Sequence, residues 1–139
     1  MEKALIDTNI LVYYASAKEV EKHEKSRKLM KLAQENPYFF TIALQNIREF
    51  ANVMHKKSIL PISEINEYVF LFAHLFQEII IDTVSDVQKA VYLNVEKEHD
   101  FYDTLLSMTA QRNGIQTIYT ENTKDFERIP GIKAVNPLR

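Results

Sequence analysis

The sequence predicts an α/β fold in which helices cover both faces of a parallel sheet. Short apolar runs alternate with longer segments of helical periodicity, which is typical of parallel strands joined by right-handed crossovers. Of the 139 residues, 46% are hydrophobic, enough for one normal core. The chain has two glycines and four prolines, and no linker or repeat divides it. We therefore expect residues 1–139 to form a single domain.

Five segments have the features of buried strands. Each is a short, mainly apolar run bounded by capping residues, glycine or proline. The first run ends at Asp7, where aspartate, threonine and asparagine follow one another and favour the start of a helix. In chain order, the predicted strands cover residues 3–6, 38–42, 78–81, 116–119 and Lys133–Val135.

The segments between the strands have apolar residues three or four positions apart, the spacing of one helix face. The third segment illustrates this, since Ile47, Phe50 and Met54 lie on one side. Asn113 and Gly114 form a typical helix C-terminus. The predicted helices cover residues 10–15, 19–35, 43–57, from Ser63 to about residue 76, from Thr83 or Ser85 to about residue 97, and from the N-cap Asp100 to residue 113.

The composition excludes several classes of protein. Cysteine is absent, which excludes disulfides, thiolate metal sites and thiol nucleophiles. The formal net charge is −2, so an RNA substrate would have to meet a local basic patch or bound metal ions. No segment approaches the roughly 18 apolar residues of a membrane span. We expect a soluble, cytoplasmic protein with no membrane partner.

Three polar side chains are predicted at the edge of the sheet where ligands bind in folds of this class, the carboxyl ends of the strands. Asp7 follows the first strand, and Asn122 and Asp125 follow the fourth. Asp7 could cap the next helix, but Thr8 or Asn9 can also do so. This leaves Asp7 available for function.

Two further acids are ambiguous from the residues alone. Glu49 lies about 200° around its helix from Ile47, away from the main apolar face, and this position favours a solvent-exposed residue. Asp103 follows the predicted N-cap Asp100 by three residues, where an acid also stabilises the helix dipole. A catalytic role and a helix-capping role are equally compatible with Asp103.

Several carboxylates at one sheet edge need a countercharge to stay ionised. No lysine or arginine has an obvious position to supply it, and none of the four histidines has a histidine four residues away, as in helical zinc motifs. Carboxylate oxygens without cysteine or histidine favour Mg²⁺ or Mn²⁺. Because such ions bind phosphates and activate water, hydrolysis of a phosphodiester is the matching reaction.

Four motifs resemble those of PIN-domain ribonucleases, in the order of that family and across nearly the whole chain. A single motif of this kind is weak, whereas four in order at compatible spacings are specific. The closing motif is followed by Ile-Pro-Gly-Ile at residues 129–132 and by Asn136 and Pro137. The four motifs are residues 4–12 (ALIDTNILV), 46–53 (NIREFANV), 101–106 (FYDTLL) and 118–126 (IYTENTKDF).

The resemblance implies a three-layer sandwich with a five-stranded parallel sheet in strand order 3-2-1-4-5. It also implies that Asp7, Glu49 and Asp103 are metal ligands, so that the polar side of the Glu49 helix faces the active site. The family usually has a fourth acid where this chain has Asn122, and the fourth site position stays open between Asn122 and Asp125. Glu121 could also compensate for the missing acid. Thr8 and Thr120 resemble family hydroxyls that hydrogen-bond the carboxylates.

The activity implied is hydrolysis of RNA by one or two Mg²⁺ or Mn²⁺ ions, leaving a 5′-phosphate and a 3′-hydroxyl. The resemblance extends to VapC-type toxins, which implies a homodimer that binds a small antitoxin. Arg48, Arg112 and Lys124, with the basic residues of the helix at 19–35, are candidates for RNA contact. The alternatives are a PIN ribonuclease of RNA maturation without an antitoxin, and a catalytically inactive PIN-like interaction module.

Overall fold

A computed structural model describes residues 2–97 and 100–139, whose strands form one parallel sheet of five. The strands are β1 (Ala4–Ile6), β2 (Phe40–Ala43), β3 (Ile79–Ile80), β4 (Thr117–Tyr119) and β5 (Lys133–Val135). They lie in the order β3-β2-β1-β4-β5, and each neighbouring pair is parallel. The predicted α/β class and strand order are therefore confirmed, and every strand end lies within two residues of its prediction.

The helices of the described residues follow the predicted alternation with the strands. They are α1 (Thr8–Ala15), α2 (Val20–Glu35), α3 (Leu44–Lys56), α4 (Ile62–Leu75), α5 (Val84–Lys97), α6 (Phe101–Arg112) and α7 (Thr123–Glu127). The sequence did not predict α7, because five residues are too few to display a helical repeat. In the part of the chain that the structure describes, no helix is both long enough and apolar enough to cross a membrane.

Two helix starts differ from the sequence-based expectation. Asp7 itself is the N-cap of α1, and its carboxylate accepts a hydrogen bond of 2.8 Å from the Thr8 amide. The expectation that capping would leave Asp7 free was therefore wrong, because Thr8 is already helical. Pro61, rather than Ser63, is the N-cap of α4, since its extended backbone places Ser63 inside the first turn. At α5, Thr83 is the cap and exchanges reciprocal hydrogen bonds with Asp86.

The sheet is buried on both faces, as parallel sheets covered by helices require. Along β1, Ala4 and Ile6 belong to one hydrophobic core, whereas Leu5 belongs to the other. The first core packs the sheet against α1 to α4, with Phe50 and Phe72 fully buried at its centre. The second packs the opposite face against α5, α6 and α7. Strands held from both sides fix the positions of the polar residues that follow them.

Candidate active site

The candidate site begins where the neighbouring strands β1 and β4 end. Ile6 is in register with Tyr119, and the Asp7 amide donates to the Tyr119 carbonyl at 2.9 Å. The next residue on each strand is polar and buried, Asp7 on one and Thr120 on the other. The Thr120 hydroxyl donates to the Asp7 carboxylate at 2.8 Å. The prediction that Asp7 lies at the carboxyl edge of the sheet is thus confirmed.

Asn9 joins the two strand ends through its side chain. Its amide nitrogen donates to the Thr120 hydroxyl at 3.2 Å and to the Asp7 carboxylate at 3.4 Å, while its oxygen accepts from the Glu121 amide at 3.2 Å. Sequence reasoning considered Asn9 only as a helix cap. Its role in holding the loop after β4 had no signal in the sequence, because its partners there, Thr120 and Glu121, lie more than 100 residues away.

Glu49 lies on α3 and is half-buried, with both carboxylate oxygens engaged. One oxygen accepts from the Thr8 hydroxyl at 3.1 Å and the other from the Gln45 amide at 2.7 Å. The Thr8 hydroxyl in turn accepts from Asn46 at 3.1 Å. Glu49 is therefore held towards α1 and the end of β1, where the family resemblance implied it to be. The contrary indication from helix periodicity was wrong, because the polar side of α3 faces a cleft.

Asp103 reaches the same cleft from the first turn of α6. Asp100 caps this helix as predicted, accepting hydrogen bonds from the Tyr102 and Asp103 amides at 2.9 and 3.1 Å. A cavity of about 510 Å³ is lined by Asp7, Glu49, Asp103 and Asn122. A second cavity of about 500 Å³ is lined by Glu49, Asp103, Asn122 and Asp125. Because the two cavities share three residues, they form one cleft, with the acids of β1, α3 and α6 at its centre.

The acids of the cleft are electrostatically strained. The pKa of Asp7 is raised to about 6, mainly by burial and to a smaller extent by the nearby Glu49 carboxylate, against hydrogen bonds from Thr120 and Thr8 that lower it. Burial also raises the pKa of Asp103 to about 7, with repulsion from Asp7 as the next cause. Perturbed acids that face one another in a cleft are typical of catalytic and metal-binding sites. A bound cation would relieve this repulsion.

The donor set fits a hard divalent cation that keeps part of its water shell. Among the described side chains, those of residues 2–94 and 100–139, no three acidic or histidine groups surround a point closely enough to hold a metal ion directly; His99 lies outside these residues. Mg²⁺ usually binds proteins through only one or two carboxylates and retains several waters. Asp7, Glu49 and Asp103 line one cleft with oxygen atoms only, and this arrangement is compatible with such an ion.

The residues that follow β4 differ in how they meet the cleft. Asn122 lines both of its cavities and is held by its own amide, which donates to the Thr120 hydroxyl at 3.0 Å. Asp125 is exposed and lines only the second cavity. Glu121 lines neither cavity and is bound by Lys22 and Tyr13; burial alone would raise its pKa, but these hydrogen bonds and the Lys22 charge outweigh burial and lower it. The idea that Glu121 compensates for the missing acid was therefore wrong, because its charge is already neutralised.

The basic residues near the cleft are only partly those that the sequence indicated. Arg48 lines the second cavity as expected. Arg112 instead lies at the far end of α6, where its guanidinium binds Asp86 at 3.0 Å, so it does not reach the acids. Lys18 and Lys57 line the first cavity. The sequence gave no reason to select these two lysines, because local patterns do not show that the helix ends beside which they lie border the cleft.

We expect Asp103→Asn to stabilise the metal-free protein at pH 8 by about 1–3 kcal/mol. One pKa unit corresponds to roughly 1.4 kcal/mol, and solvent screening reduces the full amount. Because the folded pKa of Asp103 is raised, its destabilising effect is complete above pH 7 and disappears as the pH falls from 7 to 4. Thermal unfolding in EDTA should therefore separate the variant from the native chain at pH 8 but not at pH 4. If Asp103→Asn and the native chain melted at the same temperature at pH 8, the ionised Asp103 carboxylate would not destabilise the fold.

Solved structures from several organisms are similar to this chain. One chain of a toxin–antitoxin complex from Klebsiella pneumoniae is 27% identical, with a TM-score of 0.68, and the match covers 97% of this chain and 98% of that one. VapBC2 from Rickettsia felis, bound to a DNA fragment from its promoter, is 21% identical with a TM-score of 0.73, over 96% and 97% of the two chains. The sarcin–ricin loop cleaving toxin VapC20 of Mycobacterium tuberculosis is 17% identical with a TM-score of 0.68, over 90% and 93%.

None of the curated proteins matches the sequence significantly. The model of the PIN domain family, however, matches residues 4–132, which include all four acidic motifs. The strand order and the position of Asp7 at the end of β1 agree with this match. The chain therefore belongs to the PIN domain family.

Proposed function

We propose that this protein is a metal-dependent endoribonuclease and the toxin of a toxin–antitoxin pair. The observation that carries the proposal is the convergence of Asp7, Glu49 and Asp103 on one cleft, where the pKa values of both aspartates are raised. Such a site favours a divalent cation and, through it, a phosphodiester substrate. The proposed place of action is the cytoplasm, where cellular RNA is abundant.

In the proposed mechanism, the side chains of the cleft bind the metal ion and hold the metal ligands in position. Mg²⁺ or Mn²⁺, when held by Asp7, Glu49 and Asp103 directly or through its bound waters, would supply an activated water and stabilise charge on the phosphate. Thr120 fixes the Asp7 carboxylate, and Thr8 fixes that of Glu49. Side chains that hold the ligands in this way limit the reorganisation needed when the ion binds. Asn122 and Asp125 remain the two proposals for the fourth site position.

Lys18 and Lys57 are the proposed phosphate contacts on the first cavity of the cleft. We expect the double variant Lys18→Ala/Lys57→Ala to weaken RNA binding equally for all sequences. The slope of log affinity against log salt should fall by about 1.4, since each phosphate contact on a single strand contributes roughly 0.7. Fluorescence anisotropy at KCl concentrations from about 50 to about 200 mM, which bracket physiological ionic strength, measures the slope.

The matched control for this prediction is Lys31→Ala. Lys31 is also exposed, but it lines a separate cavity with Arg27 and Lys28 on α2. It should leave the slope unchanged. An unchanged slope in the double variant would remove Lys18 and Lys57 from the substrate path, and a reduced slope in the control would place the RNA on α2.

The toxin role is supported by the similar structures. The Klebsiella chain comes from a toxin–antitoxin complex and matches over nearly the full length of both chains. VapC20 is described as cleaving the sarcin–ricin loop, an RNA substrate. On this basis we propose a small antitoxin as the partner and a homodimer as the assembly. A small gene for a DNA-binding protein beside this one would support the pair, whereas expression without any effect on growth would favour an RNA-maturation enzyme.

The central test compares the native chain with Asp7→Asn, since asparagine is as good an N-cap as aspartate. Purified protein is incubated with RNA in Mg²⁺, in Mn²⁺ or in EDTA, and the ends of the products are sequenced. We expect 5′-phosphorylated ends at defined positions with the native chain and metal only. Cleavage that survives in EDTA, or in Asp7→Asn, would refute the proposed metal-dependent mechanism.

A further inference from the structure

An exposed aromatic ring stands beside the acids of the cleft. Tyr102 follows the first residue of α6, and its side chain is 61% exposed. It lines the second cavity together with Glu49, Asp103 and Asp125. Among the residues that line the two cavities of the cleft, the other aromatic one is Tyr13. The Tyr13 ring is half-buried and the Lys22 ammonium lies over it, 5.0 Å from the ring centroid, which leaves Tyr102 as the ring available to a ligand.

The position of Tyr102 is fixed relative to the candidate metal ligands. Its amide donates to the Asp100 carboxylate at 2.9 Å. Its carbonyl accepts from the Gln45 side chain at 3.1 Å, and the same Gln45 nitrogen donates to Glu49 at 2.7 Å. The Phe101 ring packs edge-to-face against the Tyr102 ring, with centroids 5.4 Å apart. A single amide group therefore couples the backbone beneath this ring to the Glu49 carboxylate.

We infer that Tyr102 is a stacking platform for an unpaired base next to the phosphate that the acids bind. This inference rests on the proposed function and adds a residue that contacts the base to those that bind the phosphate. A flat, exposed and anchored ring offers its face to any base, whereas the bases of a duplex are covered by their neighbours. The Arg48 guanidinium lines the same cavity and provides a positive charge for the adjoining phosphate.

The charge of the surroundings also favours a nucleotide over an apolar peptide. Tyr102 is bordered by Asp100, Asp103 and Asp125 in its cavity. These carboxylates would be desolvated without compensation beneath an apolar segment, whereas a cation shared with a phosphate would neutralise them. The ring then contributes what the acids and the cation lack, a contact with the base.

The test uses tryptophan as a reporter, because the chain contains none. Tyr102→Trp is combined with Asp103→Asn so that RNA is not cut, and fluorescence is measured in Mg²⁺ with unpaired and duplex RNA of the same sequence. We expect quenching by the unpaired strand only. The control is Tyr38→Trp in the same background, since Tyr38 is 70% exposed but lies before β2, at the opposite end of the sheet. Equal quenching by the duplex, or equal quenching of the control, would overturn the inference.

Affinity and cleavage give the second readout. Tyr102→Ala should weaken binding of unpaired RNA roughly 10-fold or more, and Tyr102→Phe should restore it, because stacking needs the ring and not the hydroxyl. If Tyr102→Ala bound unpaired RNA as tightly as the native chain and still cut it, the stacking role of Tyr102 would be refuted and the nuclease function would stand. Quenching of Tyr102→Trp by unpaired RNA, with no cleavage by the native chain in any metal, would support the platform and refute the nuclease.

Discussion

Replacing Asp103 with asparagine is expected to reduce RNA cleavage at least about 100-fold. Loss of a group that merely supports a metal ligand already costs about 10- to 100-fold, and Asp103 is proposed to be a ligand itself. Its carboxylate lines the cleft with Asp7 and Glu49, and its pKa of about 7 reflects burial first, then repulsion from Asp7 and from the other acids nearby. Initial rates of cleavage of an unpaired RNA in saturating Mg²⁺, at pH 8, measure the effect.

Asp100→Asn is the matched control for this prediction. It removes the same charge three residues away, and asparagine is as good an N-cap for α6 as aspartate. Asp100 lines the cleft but is not proposed as a ligand, so its variant should cut RNA within about threefold of the native rate, the usual scatter for exposed positions. Equal losses in the two variants would show that net charge matters rather than ligation by Asp103.

The stability of Asp103→Asn makes this prediction more specific. The variant should be inactive and yet more stable than the native chain in EDTA, because it removes a strained carboxylate. A variant that lost activity through unfolding would lose stability as well. Opposite changes in stability and activity are the usual sign of a residue kept for function at a cost to the fold.

The sequence predicted the strand order only through the family motifs, but it located Asp7 from physical reasoning. A buried apolar run followed by polar capping residues indicates the end of a parallel strand, and such ends meet at one edge of the sheet. The same reasoning placed Asn122 after β4, where it lines the cleft. Local patterns were sufficient here because strand and site residue are adjacent in the chain.

Glu49 could not be located in this way, because hydrophobic periodicity does no more than separate the apolar face of a helix from its polar face. It does not distinguish a polar face in water from a polar face in a cleft. The hydrogen bonds that hold Glu49 also lie partly outside local reach, because Thr8 is 41 residues away along the chain. The contacts of Asn9 and Gln45 were missed for the same reason.

The remaining prediction concerns the helix pair that presents Asp103. Asp86, at the start of α5, is fully buried, and it accepts hydrogen bonds from Arg112 at 3.0 Å and from Thr109 at 3.2 Å. Arg112 also donates to the Ile81 carbonyl. Burial alone would raise the pKa of Asp86, but the bonds from Arg112 and its other donors outweigh it and lower the pKa. The ion pair thus fixes the end of α6 opposite to the cleft.

Arg112→Met should destabilise the protein by about 3 kcal/mol, because it leaves a buried carboxylate without its cation. Arg48→Met is the control: the contact of Arg48 with Asp82 is 3.7 Å long and largely exposed, and such pairs contribute less than about 1 kcal/mol. Because the folded pKa of Asp86 lies below its usual 3.8, its contribution is complete above that pH and is lost as the pH falls through the folded value. Without Arg112, burial raises the pKa of Asp86, so the deficit of Arg112→Met in urea unfolding should be full at pH 7, shrink as the pH falls towards 4 and shrink further below it, as Asp86 becomes protonated first in the variant and then in the native chain. A deficit that is the same at both pH values would mean that lost packing, and not the unpaired charge, is responsible.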